Sequence, residues 1–166
     1  MHPLPETSMT YQVIYSNEDI EVRQSLLSGH HGLFARKEFT PDQLITAFAA
    51  EQVFRKPSYL TIQISDRRHI SLQPHFLQYV NHSCEPNCFF DTTGMEFITL
   101  STVHSGEELT FFYPSTEWRM AQPFVCYCGK SNCCGLIEGA AQMPGEILKL
   151  YKLTNYIQRK LDRIGR

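Results

Sequence analysis

The sequence predicts a mostly β fold that ends in an α-helix, and three observations lead to this prediction. Short apolar segments of strand length recur between residues 13 and 113, and LTIQI at 60–64 alternates strictly between apolar and polar side chains. Patterns with helical spacing are rare before residue 140. From Pro144 onward, apolar residues return every three or four positions, which is the spacing of one helix face.

Five strands are expected in the first half of the chain, where apolar, β-branched and aromatic residues cluster. In the segment 60–64, Leu60, Ile62 and Ile64 share one face, which is typical of a half-buried strand. The segment HISL is its expected hairpin partner. In chain order the five strands are 13–15, 32–36, 44–54, 60–64 and 69–72.

The second half begins with an unusual polar octapeptide, NHSCEPNC at 81–88, between apolar segments. Pro74 opens one expected helical turn before it, and Pro86 prevents a regular element through its middle, so we expect an ordered loop. Strands follow at CFFD and EFITLSTV, which are separated by a turn containing Gly94, and LTFFY at 109–113 is the last strand.

One amphipathic helix is predicted over residues 144–164, and we expect it to pack on the body of the protein. Its opposite face is basic, with six positive residues from Lys149 to Arg166, and is expected to be solvated. The apolar stripe consists of Ile147, Leu150, Thr154, Ile157, Leu161 and Ile164.

Charge and hydropathy exclude several functional classes. Fifteen basic and seventeen acidic residues give a net charge of -2, so the chain lacks the positive field of non-specific nucleic-acid binding, and we expect no direct nucleic-acid partner. No apolar run is long enough to cross a membrane. The start, MHPLPETSMT, has no signal-peptide pattern, so we expect a soluble intracellular protein of the nucleus or cytoplasm.

The six cysteines favour a metal site over disulfides in such a protein. Cys126, Cys128 and Cys133 follow the pattern C-x-C-x4-C, which supplies three ligands of a tetrahedral zinc site. Consecutive side chains diverge, so a remote cysteine, Cys84 or Cys88, is a better fourth ligand than Cys134. The alternative is a set of reduced cysteines that pack as small apolar residues.

Three motifs together resemble one known family. NHSCEPN at 81–87, GEELTFFY at 106–113 and CYCGKSNCCGLI at 126–137 are similar, in this order, to the signatures of SET-domain protein-lysine methyltransferases with a post-SET zinc motif. The resemblance extends over roughly residues 11 to 137. It implies a β-clip SET fold of small curved sheets with a knot-like crossing. The implied units are a SET domain at 11–117, a post-SET zinc-binding segment at 124–140 and the C-terminal amphipathic helix at 144–164.

The resemblance also implies two cofactors, S-adenosylmethionine and zinc. Asn87 would brace the chain crossing by hydrogen bonds, and Cys88 would belong to the core. The residues implied to bind S-adenosylmethionine are His31, Gly32, Leu33, Asn81, His82 and Tyr113. The implied zinc ligands are Cys84, Cys126, Cys128 and Cys133.

The implied catalytic residue is Tyr113, which ends the GEELTFFY motif. Its hydroxyl would orient the lysine amine or contact the transferred methyl group, and geometry would provide most of the catalysis. Phe111, Phe48 and Tyr79 are the implied walls of the substrate channel. Positions such as Phe111 hold phenylalanine or tyrosine in the family, and phenylalanine leaves room for di- or trimethylated products.

The implied function is methyl transfer from S-adenosylmethionine to a lysine of a protein or peptide, with histone tails among the candidate substrates. The first motif departs from the family's Gly-x-Gly, because this chain has His30, His31 and Gly32, with Gly29 one place early. A SET-like zinc-containing protein-binding module with weak or no turnover is therefore the alternative. A zinc-ribbon interaction module would leave the motif GEELTFFY unexplained.

Overall fold

Short strands dominate residues 10–166, which are the residues that the computed structural model describes. The mostly β fold with a C-terminal helix is confirmed. The strands are β1 (Tyr11–Ser16), β2 (Ile20–Ser25), β3 (His31–Ala35), β4 (Leu44–Ala47), β5 (Ala49–Phe54), β6 (Ile62–Ser65), β7 (Arg68–Gln73), β8 (Asn81–His82), β9 (Cys88–Asp91), β10 (Glu96–Thr99), β11 (Glu108–Phe111), β12 (Phe124–Val125) and β13 (Leu136–Ile137). The helices are α1 (Gly145–Leu148) and α2 (Asn155–Arg163), and 3-10 turns cover His75–Tyr79 and Tyr113–Ser115.

The strands form four small sheets that place the ends of β8 and β11 side by side. The largest sheet has the order β1-β2-β3-β11-β8, and its β8–β11 pair is parallel whereas the others are antiparallel. Two three-stranded sheets have the orders β4-β10-β9 and β5-β7-β6, and β12 pairs with β13. The hairpin predicted for 60–72 is the pair β6–β7.

The structure corrects the prediction of one buried strand at 44–54. The chain leaves one sheet at Ala47 and enters another at Ala49, and the buried residue between them, Phe48, donates its N–H to the Met95 carbonyl at 2.9 Å. Since β5 is mostly exposed, the apolar run marks a crossing between two sheets. The sequence also did not predict β2, where only Ile20 and Val22 face the core.

The helix predicted over 144–164 is interrupted. α1 ends at Leu148, and α2 begins after Thr154, whose side chain accepts a hydrogen bond from the Ile157 N–H at 3.4 Å and so caps the second helix. Leu150 lies between the helices and is 77% exposed, whereas Leu161 is buried as predicted. The amphipathic character of the segment is thus confined largely to α2.

Helix α2 covers a second apolar cluster that begins where β11 ends. Tyr156, Ile157 and Leu161 pack with Phe112 and Leu148 in this cluster, so the helix supports the chain immediately before Tyr113. No helix within residues 10–166 has both the length and the apolar character needed to cross a membrane. The N-terminal stretch without a signal-peptide pattern lies, apart from its last residue, outside the described residues.

Candidate functional site

The octapeptide at 81–88 is held against β11 by backbone and side-chain hydrogen bonds. Asn81 and His82 pair with Thr110 and Phe111 in the parallel ladder. The Asn87 amide nitrogen donates to the Glu108 carbonyl at 2.8 Å, and its oxygen accepts from the Thr110 N–H at 2.9 Å. Asn87 therefore makes the bracing hydrogen bonds that the resemblance implied, and Cys88 lies in the core as expected.

A cavity of about 520 Å³ opens beside these two strands. Its walls come from the loop before β3, the loop before β6, the 3-10 turn before β8, the end of β11 and the segment before β12. Leu72, Leu77 and Phe90 give part of the lining an apolar surface. Five of the residues that the sequence singled out lie on this lining: His31, Tyr79, Asn81, Phe111 and Tyr113.

Gly32 allows the first motif to approach Asn81 closely. The Asn81 amide nitrogen donates to the His31 carbonyl at 2.7 Å and to Glu108 Oε1 at 2.8 Å. A Cβ atom on Gly32 would lie 2.7 Å from that same Glu108 oxygen and 2.9 Å from the Phe34 ring. A side chain at this position would therefore have to displace the Phe34 ring and the Glu108 carboxylate, the same oxygen that accepts from Asn81.

The side chains of the first motif divide between the cavity and the core. The His31 ring stacks on the Tyr79 ring, with 4.8 Å between their centroids, and both rings face the cavity. The Leu33 side chain is fully buried in the main core. Gly32 and Leu33 are thus placed behind the lining, where they position the backbone.

Tyr113 closes the cavity at the end of β11. Its hydroxyl donates to the Val80 carbonyl at 3.3 Å, and its ring lies 4.7 Å from that of Phe111. Burial, together with the nearby Glu108 and Glu117 carboxyl groups, raises the pKa of Tyr113 to about 12. The phenol is therefore neutral near pH 7, and it can donate or accept a hydrogen bond but cannot serve as an efficient proton acceptor.

Phe111 and Phe48 lie at different depths. The Phe111 ring faces the cavity and meets the Phe90 ring edge to face at 4.8 Å. Phe48 packs against Phe90 at 5.5 Å and is separated from the cavity by it. Phe48 therefore supports the wall from behind.

His82 connects the end of β11 to the cysteine cluster. Its Nδ1 accepts the Tyr113 N–H at 3.2 Å, so the ring proton belongs on Nε2, which lies 3.3 Å from Cys84 Sγ. Burial lowers the pKa of His82 to about 4, which keeps the ring neutral. Its ring packs against Tyr113 and Phe124 but does not line the cavity.

Four cysteine thiols converge beside His82 in an arrangement that fits a tetrahedral metal ion. The Sγ atoms of Cys84, Cys126, Cys128 and Cys133 all lie within 4.8 Å of one another. Cys84 and Cys126 Sγ are 3.9 Å apart, which matches the edge of about 3.8 Å expected for a tetrahedron with zinc–sulfur bonds of about 2.3 Å. Burial raises the pKa of the Cys84 thiol, so a cation is needed to stabilise its thiolate.

The octapeptide and the C-terminal segment meet at this cluster. The Cys134 N–H donates to Cys84 Sγ at 3.3 Å, so this neighbouring cysteine contributes a backbone hydrogen bond. Asn132 and the Tyr151 hydroxyl both donate to the Cys84 carbonyl, at 3.0 and 2.6 Å. Tyr151 was not foreseen, because its partner is a backbone atom far away in sequence.

Glu117 is the other residue that the sequence reasoning missed. Its buried side chain lines the cavity one turn after Tyr113, and its N–H donates to the Tyr113 carbonyl at 3.1 Å. The only signal in the sequence is a carboxyl group four positions after the expected catalytic tyrosine. A solvated loop would give the same pattern.

Comparison with known proteins finds one family model and several named relatives that match this chain. The model of the SET domain family matches residues 30–114. Over 106 residues the chain is 42% identical to a protein of Aspergillus flavus named Methyltransferase flvH, and the match covers 62% of this chain and 58% of that protein. Over 71 residues it is 41% identical to a protein of Gibberella zeae named Histone-lysine N-methyltransferase, H3 lysine-36 specific, which covers 39% of this chain and 8% of that protein.

Among solved structures, the methyltransferase domain of human PR domain-containing protein 2 matches 68% of this chain and 95% of its own, with 19% identity and a TM-score of 0.46. The match to the SET model, in contrast, includes the first motif, the octapeptide and Tyr113, and it spans slightly more than half of the 166 residues. The chain is therefore a member of the SET domain family.

Proposed function

We propose that the protein transfers methyl groups from S-adenosylmethionine to the side chain of a lysine in a protein or peptide. The observation that carries this proposal is the shared cavity, in which Asn81 of the octapeptide and Tyr113 of β11 face the same space. Its apolar and aromatic walls suit the methylene chain of a lysine. The names of the relatives, one a methyltransferase and the other a histone-lysine N-methyltransferase, support the same reaction.

S-adenosylmethionine supplies an electrophilic methyl group on a sulfonium. The residues implied to hold it are His31, Gly32, Leu33, Asn81, His82 and Tyr113. Asn81 fixes the His31 backbone, and His82 holds the Tyr113 N–H. These contacts orient two walls of the cavity relative to each other, which is what an in-line transfer requires.

On the side where the lysine enters, the Phe111 ring bounds the space around the amine. Tyr79 forms another part of the wall, and Phe48 supports the wall from behind. The neutral Tyr113 hydroxyl orients the amine by a hydrogen bond. Because water competes for the amine, exclusion of water by these aromatic side chains favours attack on the methyl group.

For the cysteine cluster we propose structural zinc, held by Cys84, Cys126, Cys128 and Cys133. Four thiolates leave no open position, which is typical of structural rather than catalytic zinc. The ion would fasten the post-SET segment at 124–140 to the SET domain at 11–117, and residues 144–164 would cover the second apolar cluster.

The function is tested by incubating the protein with methyl-labelled S-adenosylmethionine, a panel of lysine peptides that includes histone H3 tails, and whole-cell extract. We expect labelled lysine in at least one sample, and at least about tenfold less label with the Tyr113→Phe protein after the same time. If neither the peptides nor the extract becomes labelled although the protein binds S-adenosylmethionine, the result would instead favour the protein-binding module.

A further inference from the structure

The cavity contains one carboxyl group, and it belongs to Glu117. Only 7% of Glu117 is exposed, and the described residues of the lining include no other aspartate or glutamate and no lysine or arginine. The segment that carries it follows the 3-10 turn at Tyr113–Ser115 directly. Among the described residues of the lining, Glu117 is therefore the only carboxyl group that can become negative by losing its proton.

One oxygen of this carboxyl group is held by the protein and the other is available. Glu117 Oε1 accepts the Gln63 N–H at 2.9 Å and the Thr116 hydroxyl at 3.2 Å. Oε2 accepts no hydrogen bond from residues 10–166. Oε2 is not one of the fully buried side-chain atoms that lack a partner, so it is accessible from the cavity that Glu117 lines and is free to meet a ligand there.

The proposed reaction brings two cations into this cavity, a sulfonium and the ammonium of a lysine. Their repulsion is strong where water is excluded, and a carboxylate on the wall offsets it. The amine must also lose a proton before it can attack, because an ammonium has no lone pair. Tyr113 cannot accept this proton efficiently, since its own pKa is raised to about 12.

We propose that Glu117 Oε2 receives the cationic nitrogen of the substrate and takes one proton from it. This inference rests on the proposed function. In the step, one N–H bond breaks, its electron pair stays on nitrogen, and a new O–H bond forms on Glu117. The neutral amine then forms the N–CH3 bond as the C–S bond breaks. The carboxylic acid returns its proton to water before the next substrate ammonium enters.

The electrostatic surroundings agree with this role. Burial raises the pKa of Glu117 to about 8, so the group changes its protonation state in the range where a base operates near neutral pH. The charge of Glu117 contributes to raising the pKa of two neighbouring hydroxyls, those of Tyr113 and Tyr156. The imidazoles of His30 and His31 line the same cavity from the first motif.

Binding of n-butylammonium, which matches the end of a lysine side chain, tests the site without any turnover. We would titrate it, and the neutral 1-pentanol, into the whole protein and follow the shifts of cavity resonances by NMR. We expect Glu117→Gln to weaken n-butylammonium at least about fivefold and to leave 1-pentanol unchanged. Glu51→Gln makes the same substitution on the exposed surface of β5 and should change neither affinity.

Equal affinity of the wild type and Glu117→Gln for n-butylammonium would overturn the inference, whether or not any substrate is found. If Glu117→Gln does not fold, Glu117→Asp replaces it, because the shorter side chain withdraws the carboxyl group from the cavity. This variant should weaken n-butylammonium and leave 1-pentanol unchanged, and an unchanged affinity for n-butylammonium would count against the site.

If a peptide substrate is found, the rate gives a second readout. At pH 7.5 Glu117→Gln should be at least about tenfold slower than wild type, and the gap should narrow by pH 9.5, where solution supplies more neutral amine. The same ratio of wild-type rate to Glu117→Gln rate at both pH values would overturn the proton-acceptor step.

Discussion

The hydroxyl of Tyr113 and the ring of Phe111 face the same cavity but control different aspects of it. Tyr113 carries a polar group that is kept neutral by burial, whereas Phe111 contributes shape alone. Tyr113→Phe removes one oxygen atom from this cavity, and Phe111→Tyr adds one. These two positions, with Glu117, therefore give the most selective tests at the scale of single residues.

We expect Tyr113→Phe to lower the rate of methyl transfer at least about tenfold and to leave folding and S-adenosylmethionine affinity nearly unchanged. The substitution removes one orienting hydrogen bond, worth about 1–3 kcal/mol in a buried site, and almost no volume. Single-turnover rates and calorimetric binding measure the two effects separately. Tyr79→Phe is the matched control and should be much milder, since Tyr79 contacts His31 through its ring. A near-normal rate for Tyr113→Phe would refute the assignment.

We expect wild-type product to reach di- or trimethyl-lysine, and Phe111→Tyr to stop mainly at monomethyl-lysine without loss of turnover. A hydroxyl at this position would hold the amine or a water molecule where the methylated amine has to rotate. Mass spectrometry after long incubation with excess S-adenosylmethionine decides the matter. A wild-type product that stops at one methyl group would contradict the expectation.

We expect the free energy of unfolding to fall between about pH 4.5 and pH 8 because of Glu117. Its pKa is raised from 4.5 to about 8, so over this range the unfolded chain ionises at this residue while the folded protein keeps the proton. The full effect is on the order of 5 kcal/mol, at about 1.4 kcal/mol per unit of pKa. Urea titrations at pH 5 and 8.5 should therefore show Glu117→Gln gaining stability relative to wild type as pH rises. A constant difference would argue against a buried neutral carboxyl.

At the scale of elements, the periodicity of apolar residues was enough to predict where strands lie but not where a strand or helix is interrupted. The alternation of LTIQI is enough to place β6, and HISL follows as its partner in β7. The break at Phe48 could not be predicted, because an apolar run continues through it while the hydrogen-bonding partners change. The interruption before Thr154 could not be predicted either. A threonine at this position fits the apolar stripe of one continuous helix as well as it fits the cap of a new helix.

The candidate site was predictable where short motifs carry it and unpredictable where tertiary contacts do. Asn81 and Tyr113 belong to motifs with a known resemblance, and both reach the cavity. Glu117 acquires its meaning only when β6 brings the Gln63 N–H to it and buries it. No local pattern distinguishes such a carboxyl group from a solvated one.

The paired strands β12 and β13 flank the cysteine segment, so loss of the metal should disorder this element first. Structural zinc supplies roughly 10–16 kcal/mol in small zinc peptides, which exceeds the stability of a typical domain. We expect Cys128→Ser to lose zinc and to increase hydrogen exchange over residues 124–137.

Cys134→Ser is the matched control for this test. Its thiol is not among the four converging ligands, and its backbone N–H to Cys84 Sγ is retained, so zinc content should be unchanged. Elemental analysis of both proteins, purified without chelators, gives the answer. Equal zinc in the two variants would count against the proposed ligand set.

At the scale of the whole molecule, a chain of hydrogen bonds that starts in the interior and ends at the surface joins the cavity wall to helix α2. Gln63 donates its N–H to Glu117 and its amide Nε2 to the Tyr156 hydroxyl at 3.0 Å. Tyr156 in turn donates to Asp66 Oδ1 at 2.9 Å, and Lys160 also contacts this carboxylate. The hairpin β6–β7, the wall at Glu117 and the C-terminal helix therefore share one polar network.

We expect Tyr156→Phe to destabilise the protein by about 1–3 kcal/mol, because it removes an acceptor from the Gln63 amide and a donor from Asp66. The control is Tyr127→Phe at a side chain that is 90% exposed, which should have no measurable effect. Chemical denaturation of the three proteins at one pH measures the difference. Equal stability of Tyr156→Phe and wild type would show that the network does not hold the helix.

The cavity draws its walls from stretches that lie far apart in the sequence, between Ser28 and Phe124, and this has a consequence for how the protein is made. A ribosome has to synthesise the chain beyond Phe124 before the pocket can close, and beyond Cys133 before the cysteine cluster can form. Until then Leu72, Leu77 and Phe90 have no complete cover. Contacts between such distant stretches form slowly, and exposed apolar side chains on an incomplete chain promote aggregation or chaperone binding. The nascent protein therefore depends most on protection until the chain beyond Cys133 has been made.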